Sequence, residues 1–313
     1  MYKIYNEDCI IGSKKIKSDS VDLIICDPPF GINEGSFNKH YNRSSDKVID
    51  GYVEAPSDYD QFTLEWLTEC KRILKDNGSM YIISGWSNLY SFYKAFDKLE
   101  LNIINHIIWK YNFGVSTKSK WVTSHYHIFY ISKKKKEKLT FNKNAIYSQI
   151  DKDDNNRSLQ YSDIEDVWVL NKEYSKDIKN MNKLPCKLIE KIINYSSNKD
   201  QLVCDFFMGN FTTADCALRL GRNVIGFEIN KKSYDYWMNK IKDIEYGVDY
   251  KPPKLDNFFP NQGKKITDLE RNSIIKDFNN IIGTKKDKIK KLSEKYGRGY
   301  FSILNIINSI KLN

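Results

Sequence analysis

Short apolar runs rich in β-branched residues alternate with amphipathic stretches over most of the chain. The first clear run, Val-Asp-Leu-Ile-Ile-Cys at residues 21–26, predicts a buried strand. Apolar positions at helical spacing follow in residues 59–74, after which Asn77 and Gly78 predict a break. Strands that alternate with helices in this way are typical of a mostly parallel sheet covered by helices on both faces. The predicted fold is therefore α/β and doubly wound.

The same two periodicities predict the remaining elements of this region. Further strands are expected at residues 80–84, 103–109, 127–131, 202–206 and 223–227, and further helices at residues 89–99, 187–196, 212–220 and 233–241.

The last part of the chain differs from the rest in charge. Residues 251–313 hold fourteen Lys or Arg and six Asp or Glu, whereas residues 1–250 hold 36 and 34. The adjacent Pro252 and Pro253, and the polar stretch that follows them, interrupt helix and sheet alike and predict a linker. We therefore divide the chain into a domain at 1–247, a linker at 248–262 and a basic helical domain at 263–313.

Helical periodicity indicates how the basic domain is built. An apolar stripe extends over residues 266–282, and Gly283 is expected to end it. Two more helices, at 285–296 and 300–310, flank the turn 297–299, which reads Gly-Arg-Gly. This pattern predicts a small all-α extension with a helix-turn-helix. The alternative is a basic helical pair that docks on the first domain or on another subunit.

Composition excludes several classes of protein. The chain has 313 residues, of which 41% are hydrophobic and 29% charged, and its net charge of +10 suggests a polyanionic partner. Its apolar runs are shorter than the roughly eighteen residues of a membrane helix, and its first residues lack the apolar core of a signal peptide. The six cysteines and four histidines have neither disulfide nor zinc spacing. We expect a cytoplasmic protein without a metal site.

Asp27-Pro28-Pro29-Phe30 directly follows the predicted strand 21–26. The two prolines cannot continue a central strand, so they hold a carboxylate, a carbonyl and an aromatic ring in one rigid turn. Such a trio suits the methylation of an exocyclic amine on a nucleobase, because two acceptors can polarise the amine while the ring stacks on the base. A turn that simply ends a strand is the alternative interpretation.

A second strand end carries a glycine turn. Residues 203–213 contain Gly209 between a predicted strand and a predicted helix, and Glu228 ends the next strand. A glycine lets a ligand approach the backbone closely, and an acid at this distance can accept hydrogen bonds from ribose hydroxyls. This spacing predicts a nucleotide-like cofactor.

Taken in order, these features resemble the amino-methylating DNA methyltransferases of restriction–modification systems, in the permuted (β-class) arrangement. The similarity extends over about residues 1–245 and is carried by Asn6-x-Asp8-Cys9, by residues 20–30, by Arg72-Ile73-Leu74-Lys75, by residues 124–130, by Asp166-Val167-Trp168 and by Lys183-Leu184-Pro185. The resemblance implies a Rossmann-like methyltransferase fold.

The resemblance also implies S-adenosylmethionine as cofactor and double-stranded DNA as substrate. The polar residues 132–165, together with the loop 31–58, would recognise the target. A cognate restriction endonuclease and a second copy of the chain are candidate partners, and no membrane partner is expected. The catalytic residues would be Asp27, Pro28, Pro29 and Phe30, and the cofactor-binding residues Asp8, Cys9, Asp27, Lys183, Leu184, Asp205, Phe207, Gly209, Asn210, Thr212 and Glu228.

Within this family the Asp-Pro-Pro-Phe form fits adenine N6 as the target, reached by base flipping and direct attack. Methylation of cytosine N4 is the first alternative. One position departs from the family, because Asn210-Phe211 stands where a small Ser-Gly pair is usual. Phenylalanine adopts a glycine-only backbone conformation at a cost. The second alternative is therefore a non-catalytic DNA-binding module with a degenerate cofactor loop.

Overall fold

The computed structural model describes residues 1–30, 55–112, 114, 116, 118–135, 138–171, 183–254, 261 and 264–309. Most of the predicted loop 31–58 and part of the predicted linker lie outside these residues. The contacts of the chain divide it into two compact units. The first comprises Met1–Asn142 and Glu165–Pro252, and the second Lys143–Ile164 and Pro253–Asn313.

A sheet of eight strands forms the centre of the first unit within the described residues. The strands are β1 (Tyr2–Tyr5), β2 (Val21–Cys26), β3 (Leu74–Ser84), β4 (Asn102–Lys110), β5 (His125–Ser132), β6 (Val167–Val169), β7 (Leu202–Asp205) and β8 (Asn223–Phe227). Their order is β1-β8-β7-β2-β3-β5-β4-β6, and only β5 is antiparallel to its neighbours. The carboxyl ends of the parallel strands therefore share one edge.

Helices cover both faces of this sheet, and the predicted α/β, doubly wound fold is confirmed. One face packs against α1 (Cys9–Gly12), α2 (Tyr59–Ile73) and α3 (Leu89–Lys98). The other packs against α5 (Cys186–Ser196), α6 (Thr212–Arg219) and α7 (Lys231–Ile241). A further helix, α4 (Leu159–Asp163), belongs to the second unit. Strand β2 is buried along its whole length, as its apolar run predicts.

The predicted helix 59–74 ends at Ile73, but Asn77 and Gly78 do not separate it from the next strand, because β3 begins at Leu74 and runs through both residues. The pairing of β2 with β3 shifts register at this point, from Val21 opposite Leu74 to Leu23 opposite Ser79. A Cβ atom on Gly78 would lie 2.8 Å from the backbone oxygen of Asp22. The glycine therefore marks a bulge where two strands approach closely, rather than the end of an element.

Three helices surround the apolar core of the second unit. They are α8 (Asp268–Asn280), α9 (Lys285–Tyr296) and α10 (Tyr300–Ser309), close to the predicted ranges. The core residues are Ile274, Ile289, Leu292, Tyr300, Ile303, Ile306 and Ile307. The predicted stripe is wrong at two positions, since Leu269 is 82% and Ile282 92% exposed, whereas Ile266 at its start packs against the core. Leu269 lies in the first turn of α8, and Ile282 follows the end of the helix, so neither shares its buried face.

Residues 143–164 fold on themselves within the second unit, although the sequence assigned them to the first domain. Ser148 donates to the Asp151 carboxylate from its amide and its hydroxyl, at 2.7 and 3.0 Å. The Gln160 amide group donates to Asn144, and both side chains are buried. The segment is therefore a small folded element with polar groups satisfied inside it.

No helix among the described residues is long and apolar enough to cross a membrane.

Candidate active site

The two predicted functional loops follow neighbouring strands of the sheet. In the pairing of β2 with β7, Leu23 lies opposite Val203 and Ile24 opposite Cys204. From β2 the parallel sheet continues to β3 on one side, and from β7 to β8 on the other, so the winding reverses between these two strands. Ligands of doubly wound sheets bind beyond the carboxyl ends of the strands at such a reversal. The structure thus brings residues 27–30 and 205–213 to adjacent strand ends.

The turn after β2 is held by contacts from two other elements. Pro28 is buried, whereas Asp27, Pro29 and Phe30 are partly buried. The Phe30 carbonyl accepts a hydrogen bond from the side-chain amide of Asn88 at 2.9 Å. The Phe30 ring lies 5.8 Å from the ring of Tyr126, the second residue of β5. These contacts hold the ring in place beside the Asp27 carboxylate.

Phe30 stands at the end of a row of aromatic side chains. Tyr126 packs against Trp109 and Tyr111, with ring centroids 5.5 and 5.3 Å apart. The Trp109 indole donates to the Leu170 carbonyl at 2.8 Å, which orients that ring. The sequence indicated Tyr126 only through its segment and gave no reason to choose Trp109, Tyr111 or Asn88. The contacts of Trp109 and Tyr111 depend on the pairing of β4 with β5, which no local pattern specifies.

The turn after β7 presents open space on one side of a glycine. Gly209 has φ +51°, and a Cβ atom there would meet only the Phe207 carbonyl oxygen within 4 Å, at 3.8 Å. Its amide donates to a Glu228 carboxylate oxygen at 2.6 Å. Its carbonyl accepts from the Ser233 hydroxyl at 2.7 Å. The loop is therefore held from behind by β8 and α7, and its open side is suited to a ligand.

Phe211 occupies the left-handed conformation that the family's glycine would take, with φ +53° and ψ +24°. Its ring is buried in the core between the sheet and helices α5–α7 and lies 6.3 Å from the ring of Tyr234. Its amide donates to the Met208 carbonyl at 2.7 Å. The burial of the ring offsets the backbone strain, so the loop keeps its turn with a bulky residue in it.

Two buried carboxylates border this loop. Asp205 accepts from the Phe207 amide at 2.8 Å, and burial raises the pKa of Asp205 to about 6. Glu228 accepts from the amides of Gly209 and Asn230, at 2.6 and 2.7 Å. Burial, with a smaller contribution from the charge of Asp205, raises the pKa of Glu228 to about 7. Both acids can accept hydrogen bonds from a ligand once they are ionised.

The other predicted cofactor residues lie at the start of the chain and before α5. The Asp8 carboxylate caps α1 by accepting from the amides of Ile10 and Ile11, at 2.9 and 3.1 Å. The adjacent Cys9 is buried, and burial raises the pKa of its thiol well above the ordinary value. Lys183 and Leu184 precede Pro185, the residue at the N-terminus of α5.

Asn6 connects the end of β1 to the end of β8. Its side-chain amide donates to the carbonyls of Glu228 and Ile229, at 2.8 and 3.2 Å. These two bonds connect the turn that contains Asp8 to Glu228, which directly follows β8. The glycine loop and its borders hold six of the predicted cofactor residues, namely Asp205, Phe207, Gly209, Asn210, Thr212 and Glu228. Asn210 and Thr212 are buried polar residues. An open glycine turn between two carboxylates suits a cofactor with hydroxyl groups and a positive charge.

Potential ligand atoms of Cys186, Asp215 and Cys216 lie within 4.8 Å of one another. A hydrogen bond with Cys186, followed by burial, raises the pKa of the Cys216 thiol well above the ordinary value. A raised pKa keeps the Cys216 thiol protonated, which is unfavourable for a nucleophile.

Comparison with known proteins agrees with this geometry. A sequence model of the DNA methylase family matches residues 21–239. The Type II methyltransferase M.HinfI of Haemophilus influenzae is 29% identical over 350 residues, which cover 99% of this chain and 94% of that protein. The DNA adenine methyltransferase YhdJ of Escherichia coli K12 is 30% identical over 271 residues, which cover 80% and 85%.

A solved structure shares the fold. The M1.HpyAVI–SAM complex matches 78% of this chain and 100% of its own, with a TM-score of 0.54 and 22% sequence identity. The family model extends from β2 to α7 and so includes both functional loops. The family predicted from the sequence is thereby confirmed. The chain belongs to the DNA methylase family and is a DNA methyltransferase with S-adenosylmethionine as its methyl donor.

Proposed function

We propose that the protein methylates N6 of adenine in double-stranded DNA, as the modification enzyme of a restriction–modification pair. The proposal rests above all on one observation, the Asp27-Pro28-Pro29-Phe30 turn beside the glycine loop at the reversal of the sheet. The name of YhdJ supports adenine as the target, and that of M.HinfI supports the modification role. That role implies a cognate endonuclease that cleaves the unmethylated sequence.

The Asp27 carboxylate and the Pro28 carbonyl polarise the target amine. The lone pair of an exocyclic amine is delocalised into the base, so the amine is a poor nucleophile. When the two acceptors bind its hydrogens, electron density returns to the nitrogen, which is then positioned for in-line attack. S-adenosylmethionine would supply the methyl group and leave as S-adenosylhomocysteine when its carbon–sulfur bond breaks. The amine would pass its surplus proton to the Asp27 carboxylate and on to solvent. No bond between the base and the protein forms in this mechanism.

Phe30 stacks on the base after it has left the duplex. Extrusion of a paired base costs a few kcal/mol, and stacking on an aromatic ring returns about 1–3 kcal/mol. The contacts of Phe30 with Asn88 and Tyr126 keep the ring ordered before the base arrives. A preordered ring loses little side-chain entropy when the base stacks on it.

The cofactor-binding residues divide by the part of the cofactor that they hold. Glu228 accepts from the ribose hydroxyls, and Asp8 and Cys9 border the adenine. Asp27 borders the methyl group that is transferred. The other residues, which hold the methionine part, are Lys183, Leu184, Asp205, Phe207, Gly209, Asn210 and Thr212. The open side of Gly209 and the buried carboxylates of Asp205 and Glu228 support this division.

The test is to incubate the full chain with duplex DNA and methyl-labelled S-adenosylmethionine and then digest the DNA to nucleosides. We expect the label in N6-methyldeoxyadenosine. Label in N4-methyldeoxycytidine would instead select cytosine N4 methylation. Absence of label from the DNA, with DNA binding intact but no cofactor binding in a titration, would support the non-catalytic DNA-binding module.

Substitution at the turn tests the mechanism. We expect Asp27→Ala to abolish transfer while the chain still binds S-adenosylhomocysteine, because an acceptor for the amine is lost. Phe30→Ala should lower kcat/KM by about 5- to 100-fold, the equivalent of one lost stacking interaction. The exposed Asp235→Ala serves as a control and should behave as the unsubstituted protein. Near-normal turnover of Asp27→Ala would refute the assigned role.

A further inference from the structure

The second unit contains a helix pair with the connection of a helix-turn-helix. Helices α9 and α10 are joined by the three residues 297–299, and Gly297 takes the left-handed conformation, with φ +58°. The small Ser293 is buried in α9, and Ile303 and Ile306 of α10 are buried in the core. Buried residues at these positions leave one face of α10 outside the core.

The outer face of α10 carries side chains that can read bases. Phe301, Asn305 and Asn308 are exposed and lie four and seven residues apart, so they share one face of the helix. Asparagine binds adenine through two hydrogen bonds in the major groove, and phenylalanine contacts the methyl group of thymine. The side-chain Oδ1 of Asn308 accepts a hydrogen bond from the Lys285 ammonium at 2.9 Å, and this bond orients the side-chain amide of Asn308. This chemistry favours A·T base pairs.

The neighbouring helix supplies positive charge. Lys286, Lys290 and Lys291 are exposed on α9. In a helix-turn-helix the first helix crosses the phosphate backbone while the second lies in the major groove. The lysines of α9 are therefore suited to phosphates, and the stripe on α10 to base edges.

The segment 143–164 joins this surface through Lys152. The Lys152 ammonium lies 4.4 Å from the centre of the Phe301 ring, a cation–π contact. Lys152 is only 9% exposed, and among the described residues no carboxylate pairs with it. At the base of the segment, the Lys254 ammonium bonds to Asp151 at 2.7 Å and the Lys254 amide to the Asn144 carbonyl at 2.9 Å. The segment thus contacts α10 through Lys152, and Lys254, which precedes the helices in the chain, binds the base of the segment.

Resting on the proposed function, we propose that residues 143–164 and α8–α10 form one DNA-reading module. Helix α10 reads A·T base pairs in the major groove through Phe301, Asn305 and Asn308, and α9 binds the flanking phosphates. Lys152 is a positioning residue that holds the Phe301 ring. The two regions that the sequence indicated separately, the polar segment and the basic tail, then act as a single reader.

The test begins with the unsubstituted full chain. It methylates a plasmid, sequencing of the modified plasmid gives the recognition sequence, and binding is then measured on that duplex and on duplexes with one base pair changed. Asn305→Ala should lower the preference for the correct duplex by about 5- to 100-fold with cofactor binding unchanged. Asn272→Ala, an exposed asparagine on α8, is the matched control. A preference that Asn305→Ala leaves unchanged within twofold would overturn the proposal.

Two further variants separate the roles. Lys290→Ala should weaken binding to every duplex alike and reduce the slope of log affinity against log salt by about 1. Lys152→Met should lower sequence preference as Phe301→Ala does, and the double variant should be no worse than Phe301→Ala alone. Additive effects of these two substitutions would refute the coupling.

The alternative partner for this surface is a second copy of the chain. Sedimentation of Phe301→Ala tests it, because a change in mass without a change in DNA binding would overturn the proposal. If the unsubstituted protein methylated no DNA at all, the proposed function would fail. If it methylated DNA but all these variants kept its sequence preference, only the module would fail.

Discussion

At the scale of single residues, two effects of opposite sign act at Phe211: burial of the ring stabilises the protein, and the left-handed backbone conformation destabilises it. Removing its buried ring should destabilise the protein, by about 3–5 kcal/mol for Phe211→Ala. At φ +53°, however, alanine is strained and glycine is not. We therefore expect Phe211→Gly to be about 1 kcal/mol more stable than Phe211→Ala in urea unfolding.

A matched pair at Phe92 provides the control. Phe92 is as completely buried as Phe211, but it lies inside α3, where the backbone is an ordinary helix. There glycine should be less stable than alanine by about 1 kcal/mol. The same order of stability at both positions would contradict a left-handed conformation at Phe211.

A motif in the sequence located some candidate site residues, but it did not indicate their partners from distant parts of the chain. Asp27, Gly209 and Glu228 belong to strand ends that local pattern locates. Asn88, by contrast, acts on Phe30 from 58 residues away, and Asn6 on Glu228 from 222 residues away. An asparagine in a short connection has no local signal that identifies such a partner. Asn88 was therefore recognised only from the structure, and the sequence named Asn6 as part of a motif without indicating its bond to Glu228.

At the scale of elements, a distinct apolar run decided which strands the sequence could predict. Strands β2 and β8 agree with their predicted ranges. Strands β7 and β1 have four residues each, but only β7 was predicted, because Lys3 interrupts the apolar residues of β1. Strand β6 was also missed, since its three residues do not establish a period of two. Such short strands are specified by their neighbours in the sheet rather than by their own sequence.

The Glu228 carboxylate connects β8 to the glycine loop, and its titration makes both the stability of the protein and its affinity for the cofactor depend on pH. Because the pKa of Glu228 is raised to about 7, the folded chain retains between about pH 4.5 and 7 a proton that the unfolded chain releases. The stability of the ligand-free protein should therefore fall as pH rises through this range. Affinity for S-adenosylhomocysteine should rise over the same range, because an ionised Glu228 accepts from the ribose hydroxyls.

Two variants distinguish this linkage from a general effect of pH. Glu228→Gln cannot ionise, so it should bind S-adenosylhomocysteine more weakly and with little dependence on pH around 7. The exposed Glu245→Gln should keep the full dependence. Calorimetric titration from pH 5.5 to pH 8, at steps of about half a unit, would measure both. An unchanged pH profile in Glu228→Gln would exclude Glu228 as the titrating group.

Arg298 connects the elements of the second unit. Its guanidinium is buried, pairs with the Glu270 carboxylate at 2.7 Å, and donates to the Asn261 carbonyl at 2.7 Å. Arg298→Ala would leave these acceptors without a donor, so we expect a loss of about 2–4 kcal/mol in the stability of this unit. Hydrogen exchange of residues 268–309 would measure it. Arg271→Ala, at an exposed neighbour, should change exchange by less than about 0.5 kcal/mol.

At the scale of the whole molecule, the sequence predicted the strands that carry the two functional loops better than the connectivity around them. Both strands, β2 and β7, were predicted, and the structure shows that they are neighbours. The antiparallel β5 and the transfer of residues 143–164 to the second unit were not predicted. Both depend on pairing between distant parts of the chain, where alternative partners have similar local patterns.

The division into two units predicts how ligands act on the protein. Each unit has an apolar core of its own, which allows separate local unfolding. S-adenosylhomocysteine at about 100 times its Kd should stabilise the folded first unit by about 2.7 kcal/mol. We expect slower hydrogen exchange in β7 and β8 and no change in α8–α10. Duplex DNA added without cofactor should instead protect α9 and α10. Protection of both units by S-adenosylhomocysteine alone would show that they unfold together, and the reader and the methyl-transfer site would then be energetically coupled before DNA binds.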